Sequence, residues 1–140
     1  CLQWWFSFSF ARGFRMSVQL ALNLLGLDGY YIIGEPTNEK EYKSMLTMTN
    51  GKTNDITWSQ VQTALGEGGA VPMHFLRMER NTLLSQTDWV VTKATETGSA
   101  VSTEWKTYRQ ALRDLPTKET KAKWSDGILS NVTFPTKPTE

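Results

Sequence analysis

The sequence contains one cysteine, Cys1, and one histidine, His74, among 140 residues. A single thiol excludes an internal disulfide framework and any multi-thiolate metal site. A single imidazole cannot by itself make a zinc site or a two-histidine constellation. An excess of one charge is missing too: fifteen basic residues against fourteen acidic ones leave a net charge of +1. That balance creates no long-range field to steer nucleic acid, so no nucleic-acid partner is expected. The glycines at 66, 68 and 69 are followed by no Gly-Lys-Ser/Thr and sit in no strand–glycine–helix arrangement, which excludes a phosphate or dinucleotide loop. No nucleophile stands beside its own base at an interpretable spacing. His74 reads as a surface or half-buried structural side chain, and the one catalytic alternative would join it to Asp88 or Asp114. No enzyme activity, cofactor or metal is expected.

What is present is an ordinary globular composition, 39% hydrophobic and 21% charged. The length fits one domain, or one small domain with an appendage. Residues 1–15 are unlike the rest: Trp4, Trp5, Phe6, Phe8, Phe10 and Phe14 crowd a stretch with no methionine at its start. It lacks the basic start and aliphatic run of a signal peptide. It is also shorter than the ~20 apolar residues that span a bilayer. Met16-Ser17-Val18 is a natural-looking start. Residues 1–15 therefore read as a non-native or disordered extension, translated in frame from upstream or belonging to an environmental fragment. The alternative is an aromatic interfacial anchor, which the missing charge periodicity opposes; no membrane partner is expected.

Residues 16–70 read as a small α+β submodule. Val18 to Leu25 suits either a half-buried strand or a short helix through Val18, Ala21, Leu22 and Leu25. Tyr30 to Ile33 is a strand, and Asn38 with Glu41 caps a helical turn carrying Tyr42. Ser44 to Thr49 followed by Asn50-Gly51 predicts a β-hairpin. Asp55 or Thr57 caps a helix bearing Trp58, Val61, Ala64 and Leu65 at helical spacing. Glycines 66, 68 and 69 end that helix and read as a flexible joint.

Residues 71–140 read as a helical module. Pro72 opens a helix to about Gln86 that buries Met73, Leu76, Leu83 and Leu84. Thr87 to Val91 is a turn or extended stretch anchored by Trp89, and Gly98 marks the turn before a second helix. Ser102 or Thr103 caps that helix, and Trp105, Tyr108, Leu112 and Leu115 fall on one face of it. Pro116 ends it. Two such helices pack as an antiparallel hairpin. Beyond them the chain is extended, with Val132 and Phe134 alternating as in an edge strand before Pro135 and Pro138. The fold class expected is α+β, a small N-terminal β-containing part followed by a C-terminal helical hairpin with an extended Pro-containing tail.

Leu83, Leu84, Trp89, Trp105, Tyr108, Leu112 and Leu115 are the expected core of this module. Trp124 and Phe134, with Arg109 and Arg113, are the expected partner contacts. Arg80, Arg109, Arg113, Asp88 and Asp114 are expected to include one or two ion pairs that set the helical register.

Three segments, taken in order, carry a family resemblance. They are Arg80-Asn81-Thr82-Leu83-Leu84 with Thr87-Asp88-Trp89, then Trp105 through Pro116, then Asn131-Val132-Thr133-Phe134-Pro135-Thr136-Lys137-Pro138. Together, over about residues 79–138, they resemble the phage tail assembly chaperone family. The closing Phe-Pro stands where Trp-Pro is more usual, which keeps a ring before the proline. The resemblance implies a non-enzymatic tail or tail-fibre assembly factor whose partner is a phage tail or tail-fibre protein. It would act in the host cytoplasm during assembly; the alternative is a structural component of the virion tail. Proteins of this family occur in tail and tail-fibre gene neighbourhoods, including those of marine cyanobacterial phages. The resemblance brings no catalytic residues with it.

Overall fold

In a computed structural model residues 17–139 are described; the expectations for residues 1–15 fall outside that range. Val18, Ala21 and Leu22 are all buried, a spacing that only a helix can turn to one side, and α1 (Ser17–Leu24) is accordingly helical. After the breaks at Gly26 and Gly29 come β1 (Tyr30–Ile32), α2 (Glu39–Met45) and β2 (Leu46–Met48). The Asn38 side chain accepts from the Glu41 N–H and starts α2, as its sequence predicts. β1 and β2 pair antiparallel with Tyr31 opposite Thr47.

The hairpin expected across Asn50-Gly51 does not form. Both residues do turn, with φ of 55° and 70°, but β2 pairs backward with β1 instead of forward across that turn. The segment beyond the turn is tied up locally. The Asn54 side chain accepts from the Ile56 N–H at 2.9 Å and donates to the Tyr42 hydroxyl at 3.0 Å. Such side-chain bonds compete with a ladder for the same backbone. A reciprocal capping box of Thr57 and Gln60 then starts α3 (Trp58–Leu65). Tyr42, Val18, Ala21, Leu22, Val61, Ala64 and Val71 close the first core cluster.

α4 (Ala70–Ser85) starts two residues before Pro72, which still lies in its first turn, where its missing N–H costs nothing. The glycines before it form a tight crossing and not the expected flexible joint. The Gly68 N–H donates to the Ala122 carbonyl at 2.8 Å, and a Cβ there would run into the Thr120 carbonyl. A Cβ on Gly69 would meet the carbonyls of Thr63 and Ala64. Glycine is required here because two backbone segments touch.

The stretch expected as turn or extended chain after α4 is instead a helix, α5 (Asp88–Thr97), closed by Gly98 in the left-handed region at φ 64°. Ser102 caps α6 (Thr103–Lys118), which runs through Pro116 for two more residues. That proline lies in the final turn, so only one intrahelical bond is lost. Met73 and Leu76 of α4 share a cluster with Leu115 and Ala122, while Arg109 reaches the Leu84 carbonyl. The start of α4 therefore lies by the end of α6, and the two helices run antiparallel. β3 (Lys123–Ser125) and β4 (Ile128–Ser130) make a hairpin through Asp126-Gly127, whose φ values are 52° and 76°. No strand forms at Val132 and Phe134; both are half-buried against the α4–α6 core.

Helices with two small antiparallel strand pairs make the fold α+β. α4 is its spine: Val71 belongs to the first cluster, Met73 and Leu76 to the second. The third cluster, Val90, Trp105, Tyr108 and Leu112, sits between α5 and α6. Leu22, Leu76 and Leu112 are wholly buried, and each contributes about 1.5–3 kcal/mol of transfer free energy. Among the described residues no helix is long and apolar enough to cross a membrane.

Candidate protein-binding face

Asp88, Trp89 and Val90 open α5 directly after a two-residue turn, so their side chains are aimed by the way α5 meets α6. Arg109 of α6, only 9% exposed, fixes that junction. Its guanidinium donates to the Leu84 carbonyl at 3.0 Å, to the buried Thr87 hydroxyl at 2.6 Å and to the Asp88 carboxylate at 2.8 Å. Three acceptors within one five-residue corner, Leu84 to Asp88, use the planar fork of arginine in a way lysine could not. Arg109, expected as a partner contact, is thus turned inward. It makes one of the ion pairs anticipated from the charged residues.

With the corner fixed, three rings form an edge-to-face series. Trp89 meets Trp105 with centroids 5.9 Å apart at 75°, and Trp105 meets Tyr108 at 6.0 Å and 82°. Such pairs add about 0.5–1.5 kcal/mol each beyond their area burial. Trp105 and Tyr108 are buried, and burial pushes the Tyr108 phenol up from its ordinary value. Trp89, expected in the core, is 37% exposed. Only Val90 of α5 is buried, so the helix has one inward position and Trp89 lies at its edge.

The exposed margin of these rings opens into two hollows on either side of Trp105. One, of about 490 Å³, lies between α5 and the segment entering α6, lined by Trp89, Lys93 and Val101. The other, of about 730 Å³, lies between α6 and the tail, lined by Tyr108, Ala111, Pro135 and Pro138. Two ammonium groups stand over the indoles: Lys93 is 5.6 Å from the Trp89 ring centre and Lys137 is 5.9 Å from that of Trp105. Glu104 also borders the second hollow. Its carboxyl is held below the usual range by its own backbone N–H and then by the Ser102 hydroxyl. The face thus has aromatic area at its centre and charged groups at its rim.

Of the other residues named from the sequence, Leu83 and Leu84 are half-buried against the third cluster, and Leu112 and Leu115 are buried. Phe134 is half-buried and touches both the second and third clusters. Trp124 lies elsewhere, on β3, stacked flat on Phe75 with centroids 3.5 Å apart. That pair floors a separate cleft of about 390 Å³ between α1, α4 and the β3–β4 hairpin. Arg113 is exposed. The residues that sequence reasoning missed are Lys93, Lys137, Thr87 and Phe75. Lys93 was detectable, four residues after Trp89, once that segment is taken as helical.

The chemistry of catalysis is not assembled at His74. Its ring packs edge-on against Phe75. Asp88 is bonded to Arg109, and Asp114 accepts from the Gln110 amide at 2.9 Å. Among the described residues no group of three or more His, Cys, Asp or Glu side chains could hold a metal ion.

The model of the phage tail assembly chaperone protein family matches residues 73–139. The match begins within the first turn of α4 and spans the rest of it, α5, α6, the β3–β4 hairpin and the tail, and so includes the whole aromatic face. No curated protein and no solved structure matches the chain.

Proposed function

We propose that this protein is a non-enzymatic assembly factor for a bacteriophage tail or tail fibre. It acts in the host cell during assembly by binding a tail or tail-fibre protein on the α5–α6 face. The single observation that carries this reading is Trp89, a large ring left 37% exposed inside the segment that matches the tail-assembly family. Exposed tryptophans beside well-packed rings are the usual anchors of protein contacts. The lack of an assembled catalytic or metal group at His74 supports a binding role over a chemical one.

The test is co-expression with the tail or tail-fibre gene of the same phage. The expected result is soluble, assembled tail protein only when this chain is present. Equal solubility without it would defeat the reading. Mass spectrometry of purified particles then separates a transient factor, absent or far below stoichiometric, from a retained virion component.

A further inference from the structure

Resting on that proposed binding role, the charge around the aromatic face says what kind of segment it takes. Three charged side chains line the two hollows: Lys93, Glu104 and Lys137. Glu104 shares the second hollow with Lys137 and keeps its negative charge, but the two make no ion pair. Of the two acids on α5, Asp88 is paired with Arg109, and Glu96 makes no ion pair with Lys93. Lys93 and Lys137 have no carboxylate within ion-pair distance among the described residues, and each stands over an indole. The mouth therefore carries two cations against one carboxylate, and both cations are free of ion pairs with the described residues, while its floor, Trp89, Trp105, Val101 and Pro135, is apolar.

We propose that the α5–α6 groove binds an acidic, apolar-containing segment of its partner protein, with carboxylates meeting Lys93 and Lys137 and an apolar side chain set against Trp89 and Trp105. An ammonium over an indole is well placed for this role, since the ring holds the cation at the mouth without neutralising it. Complementary charge sets the choice of partner and the rate of encounter, and the aromatic contact sets how long the complex lasts.

The experiment uses a random dodecapeptide display library selected on the full chain, on Lys93→Glu/Lys137→Glu and on Trp89→Ala. All three substituted side chains are at the surface, and circular dichroism verifies that each variant is folded. Selection on the parent chain is expected to enrich Asp and Glu at least about threefold over the library, next to an apolar residue. The double reversal should lose that enrichment, and Trp89→Ala should recover few binders at all. Recovery of neutral or basic peptides, the same acidic peptides on the double reversal, or no binders on the parent chain would each overturn the proposal. So would a concentration-dependent dimer in sedimentation velocity that Trp89→Ala dissolves, because the face would then belong to a second copy. Failure here with tail protein still dependent on the chain in co-expression removes the acidic segment and leaves the assembly role. Loss of that dependence removes the role itself.

Discussion

Arg109 lies under the corner between α4 and α5, with its guanidinium 2.8 Å from the Asp88 carboxylate and 2.6 Å from the Thr87 hydroxyl. The two partners differ in worth. Asp88 is exposed and its pairing is screened, whereas Thr87 is 1% exposed, its hydroxyl accepting from Arg109 and donating to the Leu84 carbonyl at 2.9 Å. Arg109→Ala should destabilise by about 2–3 kcal/mol, from the lost charged hydrogen bonds at a buried corner and the lost packing of its stem. Asp88→Asn should cost less than about 1 kcal/mol. Urea denaturation of the two variants measures the difference, and equal losses would assign the corner to the ion pair alone.

Two glycines with the same backbone sign should behave differently. Gly68 and Gly98 have φ of 67° and 64°, but only Gly68 faces a neighbouring carbonyl. Gly98→Ala should cost about 1–2 kcal/mol for the left-handed conformation alone. Gly68→Ala must also push the Thr120 backbone away, and about 3 kcal/mol or more is expected. Thermal melts followed by circular dichroism rank the pair.

How much of this was legible in the sequence depends on whether a local period existed to be read. α6 was legible, because Trp105, Tyr108, Leu112 and Leu115 repeat at helical spacing and all four are buried. α5 was not. It buries one residue, opens on the β-favouring run Trp-Val-Val, and has no side-chain cap; its start is held by Arg109, twenty-one positions away from Asp88. For the same reason Arg109 could be named as an ion-pairing residue but not placed inward. The β3–β4 hairpin was overlooked although Asp126-Gly127 is a standard turn signal. The glycines at 68 and 69 were legible as a break, but their crossing with Thr120 and Ala122 depends on residues some fifty positions on.

Acid and base should each loosen the fold in a defined window. The Glu41 carboxyl is held below its ordinary range chiefly by the Thr37 backbone N–H, and that of Glu67 chiefly by Lys123. Lowered folded-state values mean that the unfolded chain binds more protons in this window. Stability is then full above the unfolded value of about 4.3 and is lost as pH falls through the lower folded ones. Burial pushes the Tyr42 and Tyr108 phenols up. Their contribution is full below the unfolded value of about 10 and is lost as pH rises through the folded values. Melting temperature should therefore fall below about pH 4.3 and above about pH 10. Both acids are at the surface, so the acid slope should shrink in high salt and in Glu41→Gln/Glu67→Gln. An unchanged slope in that double variant would refute its assignment.

Stability and binding should separate within the aromatic face. Leu112→Ala, at a wholly buried position, should cost about 2–5 kcal/mol. Trp89→Ala removes the outermost ring of the series and should cost about 1–3 kcal/mol, from its edge-to-face contact and the part of its area that is buried. Chemical denaturation checks both; a larger loss for Trp89 than for Leu112 would make Trp89 a core residue.

The central claim is that this chain supports tail assembly by binding through the α5–α6 face. It is tested most directly by the soluble yield of the same phage's tail or tail-fibre protein, co-expressed with the parent chain or with Trp89→Ala. The account predicts that Trp89→Ala, folded and as abundant as the parent chain, leaves the tail protein at the low yield seen without any partner. Full yield with Trp89→Ala would contradict it.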